Sequence, residues 1–166
     1  MRRSAGFTVL ELMIVITIMA ILASMAIPGF GYLAANTKVK GASTELYLAL
    51  YRARAESVKR NRGVAVIATS GDEANWHAGW QIVADGNNDG DYLDTASDDR
   101  IVATQSALLR VTISMDEDNV VFRPNGRISG AAPLFDVASD DPKHDIKRCV
   151  SADLTGKPYI RTTVCP

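Results

Sequence analysis

A single carboxylate stands in the most apolar part of this 166-residue chain. Glu11 lies near the start of a 21-residue run, Phe7 to Ile27, that carries no other charge. An acid inside a membrane helix costs on the order of 2.5–3.5 kcal/mol at the centre and less near an end, and it usually has a partner. Cutting the chain after Gly6 would place a new α-amine on Phe7, roughly one helical turn from Glu11. The carboxylate could pair with that amine, in its own chain or on a neighbouring subunit. The second pairing would set the axial register of a helical assembly. The other reading of Glu11 is a tolerated interfacial acid in a plain anchor.

The surroundings of Glu11 favour processing before the apolar run. An ordinary secretory signal is cut after its apolar stretch, at small residues. Here Ile27-Pro28-Gly29 leads straight into more helix-like sequence, and the small residue Gly6 comes first. A cut after Gly6 leaves the whole apolar segment on the mature chain. Its 21 residues would make about 31 Å of helix, the thickness of a bilayer core. Arg2 and Arg3 would hold residues 1–6 on the cytoplasmic side.

Two further stretches carry chemistry-bearing residues. Asp85, Asn87, Asp89 and Asp91 open a segment that partly matches the D-x-N-x-D-G start of a calcium loop. Oxygens at alternate positions with glycine at the sixth let a hard cation collect ligands around a tight turn. The twelfth position, where a bidentate Glu belongs, is Ala96, and Asp94, Asp98 or Asp99 would have to substitute. The reading adopted is an acidic hairpin turn and no cofactor, with Ca²⁺ as the alternative. Near the C-terminus, Lys147, Arg148, Lys157 and Arg161 cluster with Lys143. Such a patch binds phosphate backbones non-specifically, and Tyr159 could stack on a base. The reading adopted there is a solvated hairpin, with nucleic-acid binding as the alternative. No nucleophile–base pair stands at a recognisable spacing, so the expectation is that the chain is not an enzyme.

Charge is unevenly spread. Residues 72–118 hold eleven acids against two arginines, a net −9. Residues 36–63 carry +5 and residues 142–166 carry +3. The two cysteines, Cys149 and Cys165, have no metal-ligand spacing with each other or with either histidine. In an exported chain they most simply form one disulfide, which would be worth about 3 kcal/mol in the chain-entropy model. Two free buried thiols are the other reading. The N-terminus points to export and so to the disulfide.

The elements that must position these groups follow from periodicity. Val39, Ala42, Leu46, Ala49, Leu50, Ala53 and Val58 recur at three- and four-residue steps, so one long helix should run from Phe7 to about Asn61. Pro28, with Gly29 and Gly31, should kink it or melt a turn. Arg62-Gly63 should close it. Short β-like runs follow at 64–69, 79–84, 99–104, 108–115 and 119–123. A last hairpin should join 145–151 to 157–163 through Leu154-Thr155-Gly156. The expected fold is α+β, a long N-terminal spine helix packed on a small antiparallel sheet. Its parts are a leader (1–6), a hydrophobic transmembrane and assembly helix (7–35) and a soluble head (36–166). Trp76, Trp80 and Phe122 should be core or subunit-contact residues.

The stretch Gly6-Phe7-Thr8-Val9-Leu10-Glu11 with the apolar run to Pro28 resembles the N-terminal motif of type IV pilins and type II secretion pseudopilins. That resemblance implies cleavage after Gly6 and N-methylation of Phe7 by a prepilin peptidase. It implies storage in the bacterial inner membrane, extraction by an assembly platform into an extracellular fibre, and neutralisation of a neighbour's Phe7 amine by Glu11. The segments Tyr51–Arg60, Gly79-Trp80-Gln81-Ile82-Val83 and Asp85-Gly86-Asn87 make the head similar to the GspH/FimT group of minor pilins, FimU-like proteins among them, over roughly residues 6–125. The implied function is a minor pilin that primes or caps pilus assembly for adhesion and twitching motility. Its partners would be other minor pilins and the major pilin, and the place that the resemblance implies is the fibre tip. Two alternatives share the motif. One is a GspH-like pseudopilin of type II secretion. The other is a DNA-capturing minor pilin, for which some relatives use a C-terminal G-R-x-R; here Gly156-Lys157-Pro158-Tyr159 puts Tyr159 where the second arginine belongs.

Overall fold

The computed structural model describes residues 7–92 and 99–166, and for residues 25–29 the backbone. Helix α1 spans Val9–Arg60. Nine strands follow: β1 (Val64–Ala68), β2 (Gly79–Ala84), β3 (Arg100–Ser106), β4 (Val111–Ser114), β5 (Asn119–Phe122), β6 (Ile128–Ser129), β7 (Leu134–Ser139), β8 (Lys147–Ala152) and β9 (Pro158–Arg161). The chain divides into two compact units, Met1–Ala34 and Ala35–Pro166.

The second unit holds two antiparallel sheets where the sequence suggested one. Sheet A has the order β3-β2-β1-β5-β6, and sheet B the order β4-β7-β8-β9. The strands read from β-branched runs and alternation all exist. The two that went unread are β6, only two residues long, and β7. β7 is Leu-Phe-Asp-Val-Ala-Ser, poor in strong β formers, and it follows the turn-like Gly130-Ala131-Ala132-Pro133. Yet β7 is central to sheet B, paired to both β4 and β8. Pairing on both edges outweighs its weak intrinsic preference.

The core explains the arrangement. On α1, Val39, Ala42, Leu46, Ala49, Leu50 and Ala53 are buried as their spacing required. They pack with Val64, Val66 and Ile82 of sheet A and with Ile113, Phe135, Val137 and Val150 of sheet B in one cluster. Val58 departs from the expectation and is 55% exposed. The stripe turns there onto Ser57, which is fully buried and returns its hydroxyl to the Arg54 carbonyl at 2.8 Å. Trp76, on a 3₁₀ turn (Trp76–Ala78), ties both sheets together. Its ring meets Phe135 edge-on at 4.8 Å, and its Nε1–H donates to the Glu117 carbonyl at 3.0 Å. Trp80 and Phe122 are core residues too.

Both expected breaks in α1 differ. The helix is continuous through Pro28 and Gly29, so no turn melts there. A proline deletes a single hydrogen bond, which the adjoining turns bridge. The helix ends at Arg60, and it is closed by Asn61 in the left-handed conformation (φ 51°) and not by the expected Arg62-Gly63. Arg62 N–H donates to the Ser57 carbonyl at 3.2 Å and Asn61 N–H to the Val58 carbonyl at 3.3 Å. That double closure is a Schellman cap with asparagine in the usual glycine position.

The Cys149–Cys165 disulfide is formed. It ties the tail to the outer face of sheet B, where Cys165 N–H also donates to Asp136 Oδ1 at 3.1 Å. Two turns meet over α1. A Cβ on Gly156 would lie 1.9 Å from the Gly126 carbonyl oxygen, and both glycines have positive φ (84° and 76°). Gly156→Ala should therefore destabilise by about 3 kcal/mol or more, from strain plus displaced backbone. Gly130 also has positive φ (95°) but faces open space. Gly130→Ala should cost only about 1 kcal/mol. Urea unfolding of the full chain in detergent gives both values, and equal losses would refute the turn contact.

Candidate assembly site

The first unit is built on α1 from Val9 onward, preceded by Phe7 and Thr8. Thr8 is its N-cap. Thr8 Oγ1 accepts the Glu11 N–H at 3.2 Å, and Glu11 Oε2 accepts the Thr8 N–H at 2.9 Å and the Thr8 hydroxyl at 3.0 Å. This is a capping box, with Glu11 at the third helical position. The sequence reading overlooked it, although the signal T-x-x-E before an apolar run is present in Thr8-Val9-Leu10-Glu11. The box fixes Glu11 beside the helix start and the positive end of the helix dipole. Both accepted hydrogen bonds fall on Oε2. Among the described residues none bonds Oε1.

Gly6 lies outside the described residues. Phe7 is 83% exposed, and large apolar side chains are exposed around the whole helix, from Val15 at 45% to Val9 at 77%. A helix apolar on every side needs lipid or protein around it. Its hydroxyls suit that environment. Thr17 donates to the Met13 carbonyl and Ser24 to the Ile21 carbonyl, each at 2.7 Å. Among the described residues no helix is long and apolar enough to cross a membrane. Of the expected 7–27 span, the side chains of residues 25–27 lie outside those described.

The acidic loop uses its oxygens on itself. Asp85 is 3% exposed. Its two carboxylate oxygens accept the N–H groups of Asn88 and, at 3.0 Å, Gly90. Asn87 accepts the Asp89 N–H at 3.1 Å, and Asp89 accepts the Asp91 N–H at 2.8 Å. These are the bonds of a tight polar turn. Among the described residues no three metal-binding side chains stand together. Asp94, Ala96 and Asp98 lie outside them. Tyr92 packs beside this loop, and burial, followed by the charges of Asp85 and Asp99, raises its pKa.

The basic C-terminal residues are divided by the sheet. Strand alternation puts Lys147 with Cys149 on one face of β8 and Arg148 with Val150 on the other. Val150 belongs to the core face. Register places Arg161 opposite Cys149 and Tyr159 opposite Ser151, so both share the face of Lys147. Arg161 stacks over the Tyr159 ring at 5.1 Å. Lys147 is paired with Asp145 at 2.9 Å, and that hydrogen bond raises its pKa. Lys157 sits in the turn after Gly156, whose glycine is explained by its contact with Gly126.

Two family descriptions match. The prokaryotic N-terminal methylation motif covers residues 1–27, and type II transport protein GspH covers residues 42–156. The chain belongs to the GspH family. Two crystal forms of the type IV minor pilin FimU from Pseudomonas aeruginosa (strain PAO1) share the fold of this GspH-family chain. One aligns with TM-score 0.60 and 18% identity over 75% of this chain and 89% of that one. The other aligns with TM-score 0.55 and 19% identity over 74% and 91%. At those identities the likeness is one of fold, and the fold is that of a type IV pilin. No curated protein matches the chain. The methylation motif and the family imply a membrane-anchored precursor and a structural fibre subunit that assembles with other pilins.

Tyr92 gives a pH test of the loop. Its folded pKa lies above the ordinary value of 10.0. Folding thus favours the neutral phenol. The resulting stability is complete below pH ~10 and is lost as pH rises through the folded pKa. Tyr92→Phe should flatten the alkaline fall in stability, measured by chemical unfolding across pH 9–12. Asp85→Ala should cost about 1–2 kcal/mol by removing the two hydrogen bonds that its buried carboxylate accepts from the turn. Added Ca²⁺ should leave the melting temperature of the parent chain unchanged, and a calcium-dependent rise would make the loop a cation site.

Proposed function

We propose that this GspH-family chain is a minor type IV pilin, a structural subunit that primes or caps fibre assembly and has no enzymatic role. The observation that carries this reading is the N-terminus of the first unit. An all-apolar helix begins at a fully presented Phe7, with Glu11 fixed beside it by Thr8 and one carboxylate oxygen unused among the described residues. After cleavage by a prepilin peptidase behind Gly6, the Phe7 amine of an incoming neighbour would be the cation that Glu11 takes up. Removal of both groups from water makes their pairing strong and correct register obligatory. The neighbours would be the major pilin and other minor pilins, raised from the inner membrane by the assembly platform.

The capping box supplies a sharp test. Glutamine serves at the third position of a capping box nearly as well as glutamate, but it carries no charge. Glu11→Gln should keep the helix start and abolish surface fibres. Thr8→Val should weaken the cap and leave fibres largely intact. Electron-microscopic fibre counts, with circular dichroism of the purified chains, separate the two roles. Normal fibres in Glu11→Gln would reduce Glu11 to a capping residue and end this reading of the site.

A second reading has its own support. The matching family is described as type II transport protein GspH. A pseudopilin of type II secretion would use the same N-terminal machinery. Deleting the gene and assaying fibres and secreted proteins in the same strains decides between them. Lost fibres with normal secretion are expected of the pilin.

A further inference from the structure

Sheet A ends in a free strand edge beside a groove. β6 is its outermost strand, so one side of β6 has no partner strand. Ile128 and Ser129 of β6, with Gly130, Ala131 and Ala132 after them, form one wall of a groove of ≈ 360 Å³. Residues 129–132 are exposed, and none has a side chain larger than serine. The wall is therefore low, and a second backbone could approach it closely. The facing wall is Met115-Asp116-Glu117, between β4 and β5. A second groove of ≈ 330 Å³ shares Met115, Asp116 and Leu134 with the first and adds Glu73 and Asp136. The two make one trough. Its floor is apolar, with Met115 and Ile128 buried and Leu134 half-buried. Its rim is acidic, because Glu73, Asp116, Glu117 and Asp136 are exposed and no lysine or arginine lines either groove. Asp136 Oδ1 accepts the Cys165 N–H, but among the described residues none bonds or ion-pairs with the carboxylates of Glu73, Asp116 and Glu117.

We infer that this trough receives an extended, lysine- or arginine-bearing segment of a neighbouring pilin, which lies along the free edge of β6 as an added strand. Charge complementarity argues for a basic occupant, and an acidic segment would be repelled. The apolar floor argues for the same residues. Lysine and arginine lay their aliphatic stems on apolar surface while their charged heads reach outward, here to the carboxylates of the rim. The free edge argues for an extended backbone. Main-chain pairing would supply affinity, and every second side chain would point into the trough and supply specificity. The inference rests on the fibre-subunit reading. A subunit that primes or caps a fibre has other pilins beside it, so the donor is a different chain. What is added is the surface that neighbour takes and the chemistry it must carry.

The test uses full-length chains in membranes and sheared fibres. Ala132, on the exposed wall, is replaced by the photoreactive residue benzoylphenylalanine, and the peptides linked on irradiation are identified by mass spectrometry. The expected link is to a segment of another pilin with lysine or arginine at alternate positions. Glu73→Lys with Asp116→Lys should lower its yield roughly tenfold and leave the melting temperature unchanged, since both side chains are exposed. The neutral pair Glu73→Gln with Asp116→Asn should give an intermediate loss. Changing the basic residues of the linked segment to glutamate should restore the link to the Lys variant, which damage to the fold would not allow. A link to an acidic segment, a link to a second copy of this chain, or a yield indifferent to the charge reversal overturns the inference. Fibres that contain this chain but yield no pilin link sink this inference alone, whereas absence of the chain from fibres sinks the subunit reading as well.

Discussion

The stripe that α1 presents from Val39 to Ala53 is the constraint on which the second unit depends. One helix face must satisfy two sheets. Large residues at 46 and 50 fill the space between them, and small ones at 42, 49 and 53 let the strands approach. Among the described residues, the larger buried cluster joins both sheets to this stripe and to each other. Enlarging an alanine of the stripe would push a whole sheet, because close-packed interiors transmit displacement instead of absorbing it. Ser43 and Ser57, the serines buried on α1, fit for the same reason. They are small, and Ser43 returns its hydroxyl to the Val39 carbonyl at 2.7 Å.

The same helix obeys a different solvent rule before residue 35. There its side chains are apolar all round and its hydroxyls are satisfied from within. That pattern belongs to an environment without water. The single charge sits at the helix start, where backbone N–H groups favour an anion. Glu11 is thereby compatible with storage in lipid and with later use by a cation.

Legibility followed the length of the periodic signal. The long stripe on α1, the β-branched β1 and the alternating β2 were readable because many residues repeat one message. The apolar run with Gly6, Phe7 and Glu11 was readable as a motif for the same reason. What escaped was short or depended on distant neighbours. β7 owes its place to two flanking strands. The Asn61 cap depends on a left-handed residue that glycine more often supplies, and this drew the expectation to Gly63. The capping box was visible in four letters but was eclipsed by the more unusual presence of an acid in an apolar run. In the basic tail, sequence proximity misled. Lys147 and Arg148 are adjacent in the chain and on opposite faces of the sheet, while Arg54, Arg127 and Lys157 come together from three distant segments.

The contact between the Gly126 carbonyl and Gly156 makes two loops from different sheets behave as one structural unit. Neither can change length alone. An inserted residue in either turn would be driven into the other or into Val58 and Arg54 on α1. Sequence drift at one turn therefore demands a matched change at the other, and the pair should vary together or not at all. Gly71, by contrast, has nothing within 4 Å of where a side chain would begin. With its positive φ (62°) the glycine itself should stay, and the open surface beside it is a place where an epitope or dye could be carried without meeting the seam between the sheets.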